Sequence, residues 1–329
     1  MDPKLIKQQS EAAYKQWSRR WKKHSKIHSS LDTKNSIQDF ENVGIGKAIV
    51  CVANGYSFEE NLETLKKYQD KVDIMCCDKT LGHLIDNGIF PTYALVCDAK
   101  VNYRKYMKKW EDKLDKTTLF INVNANPQWS HAGNWREKYF FVNKDIIGSE
   151  KEFSELSGCP NVIPAGTNVS NAMLILLTLC DNNLKRNFFG YDKILLIGFD
   201  YSWKYGGKYY AFDEAGGGKV KYMRHAYITT PSGECAYTSG NLAFSMNWIH
   251  EYIKVFQLPV VQCGKDSILF FGKTHDLEEQ IQYKYKTEDR YEVKRRVDEL
   301  RKLIARQEQL KGEVNKIAKD HFWSFARSV

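Results

Sequence analysis

The sequence predicts an α/β protein: a Rossmann-like, doubly wound, mostly parallel sheet flanked by N- and C-terminal amphipathic helices. Three observations carry that prediction. Short, continuously apolar runs alternate with amphipathic helical patterns from about residue 47 to 200, as in a parallel sheet covered on both faces. The first run leads through a tight turn of small and polar residues, Ala53-Asn54-Gly55-Tyr56-Ser57, straight into a helical pattern. Polar residues also recur where the later runs end, at Asp78, Asp98 and Asp200, and the carboxyl edge of such a sheet is where ligands bind.

Taken in order, residues 4–28 form an amphipathic helix with Ile6, Ala13, Tyr14, Trp17 and Trp21 on one stripe, a packing surface for the core or a partner helix. Residues 29–44 are a linker with turn signals. The expected strands are 47–53, 72–77, 93–97, 118–123, 139–142, 193–198 and 259–262. The expected helices are 58–69, 79–87, 101–112, 168–180, 240–256 and 276–283. Gly55 lets the backbone approach a ligand, while Asn54 and Ser57 offer hydrogen bonds at the end of the first strand. Asp78 reads equally as a helix cap or a ligand contact. Pro164-Ala165-Gly166-Thr167-Asn168 opens a strongly apolar helix, and such a start offers free N–H groups to an anion, with Asn168 as the N-cap.

Residues 203–239 are rich in Gly and Tyr and poorly periodic, which predicts a long lid or substrate loop. Residues 287–322 carry Val293, Val297, Leu300, Ile304, Gln307, Leu310, Val314 and Ile317 at spacings of three and four, a heptad-like helix suited to assembly. The expected organisation is therefore 1–44 as helix and linker, 45–283 as the Rossmann-like domain, and 284–329 as a basic C-terminal helix.

Composition narrows the function classes. At 329 residues with 43% apolar content the chain builds a sizeable core. No apolar run nears the ~20 residues of a membrane span, and the charged N-terminus does not read as a secretory signal. The eight cysteines show no CxxC spacing, and most, such as Cys51, Cys76, Cys77 and Cys97, lie in strand-like runs. They read as reduced, buried thiols of a cytoplasmic protein without a zinc site. The net charge of +9 is carried by the ends: residues 1–28 hold eight Lys/Arg against two acids, and residues 284–329 hold thirteen against eight. The excess is solvated helix surface rather than a nucleic-acid groove.

Several of these pieces together resemble a known family. Ala53-Asn54-Gly55-Tyr56-Ser57-Phe58, Asn87-Gly88-Ile89-Phe90-Pro91, the run ending in Asp98, and Ala165-Gly166-Thr167-Asn168-Val169-Ser170-Asn171-Ala172 through Gly198-Phe199-Asp200 are similar to the motility-associated-factor family. That family shares a domain with archaeal 6-hydroxymethylpterin diphosphokinase. The resemblance covers roughly residues 45–275. The first turn, Gly198-Phe199-Asp200-Tyr201, Tyr210-Ala211-Phe212-Asp213 and Cys263-Gly264-Lys265-Asp266-Ser267 also look like segments of bacterial sialyltransferases, in the same order. Ala53 stands where those enzymes carry glycine, Tyr56 where they carry proline, and Asp78 where they carry asparagine.

The resemblance implies a transferase using a nucleotide or nucleotide-sugar donor and an acceptor glycan or protein. Asn54, Gly55 and Ser57 would contact the nucleotide, Asp78 and Asp98 its ribose or base, and Gly166 and Thr167 the phosphate or a sugar carboxylate. Tyr201 or Tyr210 would donate to the departing phosphate, and His225 would be the general base. Three readings follow. The first is transfer of a nonulosonic-acid sugar from a CMP-activated donor, which requires no cofactor. The second is Mg-dependent 6-hydroxymethylpterin diphosphokinase-like chemistry, with Asp98 and Asp200 supplying carboxylates. The third is a non-catalytic scaffold that oligomerises through its terminal helices.

Overall fold

The computed structural model describes residues 3–144, 149–164, 168–179, 187–204, 210–213 and 225–283, with side chains described throughout except at 3–7, 9, 10, 213 and 225. The chain divides into two compact units, Met1–Tyr283 and Lys284–Val329. The predicted C-terminal helix lies outside the described residues.

The first unit is built on an eight-stranded sheet of β1 (Ala48–Val52), β2 (Asp73–Cys77), β3 (Tyr93–Val96), β4 (Thr118–Asn122), β5 (Glu137–Asn143), β6 (Val162–Ile163), β7 (Lys193–Ile197) and β11 (Val260–Gln262). Every pairing in it is parallel. The spatial order β11-β7-β1-β2-β3-β4-β5-β6 makes this the doubly wound fold that the alternating runs predict. The chain moves outward from β1 to β6, then returns to the other side of β1 for β7. That reversal opens a crevice at the carboxyl ends of β1 and β7.

Period-two alternation sends successive strand residues to opposite faces. Val50, Val52, Ile74, Cys76, Val96 and Ile121 join one core with Phe58, Leu62 and Leu65 of α2 (Ser57–Tyr68) and Leu81 and Leu84 of α3 (Asp78–Asp86). Ile49, Cys51, Met75, Leu95 and Phe120 join the other with α7 (Val169–Thr178) and α8 (Gly240–Phe256). Seven of α7's residues from Ala172 to Thr178 are buried, which is why it reads as apolar all round. The same burial holds Cys51, Cys76, Cys77, Cys159 and Cys263 in the interior as free thiols, while Cys235 is exposed.

The N-terminal stripe packs on this core. In α1 (Pro3–His28), Trp21 meets Phe153 edge-on at 6.3 Å, and Tyr14 Oη donates to Glu152 Oε2 at 2.9 Å. Phe153 and Glu152 belong to α6 (Glu150–Ser157). At the other end of α1, Ser25 Oγ donates to Asn124 Oδ1 (2.9 Å) and His28 Nδ1 to the Val123 carbonyl (2.8 Å).

The structure corrects the expectation of one loop over 203–239. Its described residues form a three-stranded antiparallel sheet of β8 (Trp203–Lys204), β9 (His225–Thr229) and β10 (Cys235–Ser239) in the order β8-β10-β9. The hairpin between β9 and β10 turns at Thr230-Pro231-Ser232-Gly233, where Gly233 N donates to the Thr230 carbonyl (2.9 Å) and Gly233 has φ +89°. Proline second in the turn and a left-handed glycine ending it are standard turn chemistry. The helix expected over 101–112 is shorter, α4 (Tyr103–Met107) followed by one 3-10 turn, Lys108–Trp110. The sequence reading also missed α5 (Gln128–His131), α6 and the two-residue β6. No helix among the described residues is long and apolar enough to cross a membrane.

Candidate functional site

The carboxyl edge of the sheet, roofed in part by α1, encloses a cavity of about 660 Å³. Strands β1 to β5 and β7 deliver residues to it. Asn54 and Gly55 follow β1, Asp78 and Lys79 follow β2, and Asp98 and Lys100 follow β3. Asn122 and Asn124 come from β4 and the turn after it, Asn143 from β5, and Gly198, Phe199, Tyr201 and Ser202 from the turn after β7. Asn168 and Ser170 enter from the start of α7, Leu242 from α8, Tyr210 from the chain after β8, and Trp17 and Trp21 from α1.

The Asn54 turn is locked from behind. Gly55 N donates to the Gly198 carbonyl (2.9 Å), Gly198 N to Ser57 Oγ (2.7 Å), and Ser57 N to Asp200 Oδ2 (2.8 Å). A Cβ on Gly55 would lie 2.3 Å from Asp200 Oδ2 and 2.6 Å from the Gly198 carbonyl oxygen. The glycine is therefore required by the crossing of the two strand ends as well as by its place in the cavity wall. Asn54 itself projects an amide whose Oδ1 and Nδ2 are both buried without a hydrogen-bond partner among the described residues. Burying an amide unpaired is costly, so a ligand that pairs with both ends recovers what folding gave up.

The sequence-derived residues divide by position. Asn54, Gly55, Asp78, Asp98, Asn168, Tyr201 and Tyr210 all line the cavity. Ser57 and Asp200 are fully buried and lie outside the lining. They support the turn: Ser57 Oγ accepts from Gly198 N and Asp200 Oδ2 from Ser57 N, while Asp200 Oδ1 is buried with no partner among the described residues. Burial raises the Asp200 carboxyl to about 7, the backbone and side chain of Ser57 opposing the rise. The buried Tyr201 hydroxyl donates to Asn171 Oδ1 at 2.6 Å, which ties the β7 turn to α7. Asn168 caps α7 by accepting from Asn171 N (2.9 Å). Asp78 is the first residue of α3 and accepts from Lys79 N (2.8 Å), while Asp98 accepts from Lys100 N (2.6 Å). Gly166 and Thr167 lie outside the described residues. His225 opens β9 opposite Ser239, with its side chain outside them too.

Sequence reasoning missed the cations. Lys79 Nζ lies 4.6 Å from the centroid of the Tyr210 ring. Burial pulls its ammonium down, but the Tyr210 hydroxyl and the Asp78 carboxylate raise it further, leaving it above its ordinary value and charged. Lys100 Nζ sits 4.2 Å over the Trp17 ring. Both lysines come one or two residues after the aspartates the sequence pointed to, so the signal was a basic residue beside each strand-end carboxylate. Among the described residues no group of three or more His, Cys, Asp or Glu side chains is placed to hold a metal ion.

Comparison with known proteins agrees with this architecture. A solved structure described as the MAf glycosyltransferase from Magnetospirillum magneticum AMB-1 superposes with a TM-score of 0.56 at 13% sequence identity, over 80% of this chain. The chain spans 39% of that protein's length, so the likeness is one of fold. No curated protein matches. The family model for 6-hydroxymethylpterin diphosphokinase MptE-like proteins matches residues 21–206, a stretch that runs from Trp21 through every lining strand to the β7 turn. The chain belongs to the 6-hydroxymethylpterin diphosphokinase MptE-like family.

Proposed function

We propose that this chain is a nucleotide-dependent transferase whose donor nucleotide lies across the β1/β7 crevice. The observation that carries the reading is the buried, unpartnered Asn54 amide at the point where the strand order reverses. Lys79, held beside Tyr210, is the cation for the donor's phosphate, and the start of α7 at Asn168 and Ser170 adds N–H groups.

The chemistry favoured is transfer of a nonulosonic-acid sugar from a CMP-activated donor. The aspartates and lysines in the lining are Asp78, Asp98, Lys79 and Lys100, two of each sign. The CMP-activated donor carries about two negative charges, one on its phosphodiester and one on its sugar carboxylate, and asks less of such a wall without added metal than a triphosphate with about four. In this reaction the bond from the sugar's anomeric carbon to the phosphate oxygen breaks, and CMP leaves with the electron pair. Lys79 and the Tyr210 hydroxyl neutralise the leaving phosphate. The acceptor hydroxyl forms the new bond and gives its proton to a base, for which Asp98 lines the cavity and His225 is the sequence candidate.

A second reading, diphosphate transfer from ATP to a pterin-like alcohol, is favoured by the family match and by the two lining carboxylates. Asp78 and Asp98 suit a Mg²⁺ shared with substrate phosphates, which would supply the missing charge. Product analysis separates the two. Release of CMP from a CMP-nonulosonic acid in the presence of EDTA is the expected result. Mg-dependent formation of AMP from ATP, with no CMP release, would move the assignment to the diphosphokinase chemistry.

A further inference from the structure

The cavity has two ends, and the nucleotide reading uses only one. Asn54 follows β1 and Asn124 follows β4, three strand spacings away, or about 14 Å at ~4.8 Å per spacing. Asn124 is 3% exposed. Its Oδ1 accepts from Ser25 Oγ of α1 at 2.9 Å, which fixes the orientation of the amide, and its Nδ2 is buried with no partner among the described residues. Beside it, Trp17 and Trp21 stand one turn apart on α1, and both line the cavity. The same end holds Asp98, an exposed carboxylate, and Lys100, stacked on Trp17.

We propose that this α1-walled end is a second subsite, and that it takes a polyhydroxylated sugar ring. The ring's C–H face lies against the indoles, a hydroxyl oxygen accepts from Asn124 Nδ2, and hydroxyl hydrogens donate to Asp98. An apolar ligand would leave Asn124 unpaired. Such a ring has two sources, the ribose of the nucleotide or the ring of a second substrate. The inference rests on the cavity being the substrate site, as proposed above, but not on which nucleotide fills it. It also makes α1 part of the ligand site, where its apolar stripe alone suggested packing.

The test is NMR of the indole N–H signals of Trp17 and Trp21, assigned by Trp17→Phe and Trp21→Phe, in the full chain. The probes are cytidine, CMP, free N-acetylneuraminic acid and galactose. At least one probe is expected to shift both indoles, with affinity at least tenfold weaker in Asn124→Ala. If the ring is the ribose, cytidine shifts them and saturating CMP blocks the free sugars. If it belongs to a second substrate, the free sugars still shift them with CMP bound. Trp17→Ala leaves the Ser25–Asn124 anchor in place, and it should weaken the same probe even if Asn124→Ala does not fold. The proposal is overturned if no probe moves either indole, or if both variants bind the probes as the parent does. Asn54→Ala, which is remote from this end, reports separately on the nucleotide reading. Loss of CMP binding there with sugar shifts retained supports both.

Discussion

Replacing Gly198 by alanine is expected to destabilise the protein by about 3–5 kcal/mol, from overpacking and a left-handed backbone together. Gly198 has φ +72°, and a Cβ there would lie 1.9 Å from the Ala53 carbonyl oxygen and 3.2 Å from Gly55 N. Neither neighbour is the end of a flexible side chain. Relief requires the ends of β1 and β7 to separate, which breaks the bonds from Ala53 N to Ile197 O (3.0 Å) and from Gly55 N to Gly198 O (2.9 Å). A loss of that size is a large part of a typical domain's stability. The matched control is Gly240→Ala at the first position of α8, where a Cβ meets nothing within 4 Å; it should be neutral or slightly stabilising. Urea denaturation measures both. A Gly198→Ala change below about 1 kcal/mol would mean that the strand ends do not cross as described.

The pH dependence of stability should carry the signature of Asp200. Its carboxyl is raised to about 7 by burial from an ordinary 3.8. Between those values the folded protein holds a proton that the unfolded chain has released. The stabilisation from this group is therefore fully present below about pH 4 and is lost as pH rises through about 7. Over that span it amounts to a few kcal/mol, at about 1.4 kcal/mol per pH unit. His28 works the other way: burial holds its imidazole down at about 4, so its contribution is lost as pH falls from about 6.5 toward 4. Asp200→Asn keeps an acceptor for Ser57 N and removes only the carboxyl titration. The stability of the parent minus that of the variant should thus fall steadily from pH 4 to pH 7, with the His28 effect cancelling. Parallel curves for the two proteins would refute the buried, protonated carboxyl.

The fold was legible because its signals are local. Apolar runs such as Ile49 to Val52 and Ile194 to Ile197 require burial on both faces, and only a covered parallel sheet supplies it for so many in succession. The Asn54-Gly55 turn was legible for the same reason, as a strand end followed at once by a helix. What the sequence did not disclose is which way a polar side chain faces. Ser57 and Asp200 look in sequence like Asn54 and Asp98, yet the first pair turns inward to hold the crossing and the second pair turns to the cavity. Tyr201 was hidden in the same way, since its partner Asn171 lies 30 residues away. The small antiparallel sheet escaped because glycine-rich sequence separates β8 from the β9–β10 hairpin, although Pro231-Ser232-Gly233 marks its turn. The role of α1 in the cavity escaped because an aromatic stripe signals burial without naming what it faces.

The most direct measurement is calorimetric titration of CMP and ATP, each with and without Mg²⁺, into the parent chain and Asn54→Ala. CMP should bind whether or not Mg²⁺ is present, and at least about tenfold more weakly in the variant, the scale of losing hydrogen bonds worth ~1.4 kcal/mol or more. Failure of the parent to bind either nucleotide would contradict the transferase reading and leave a scaffold of this fold.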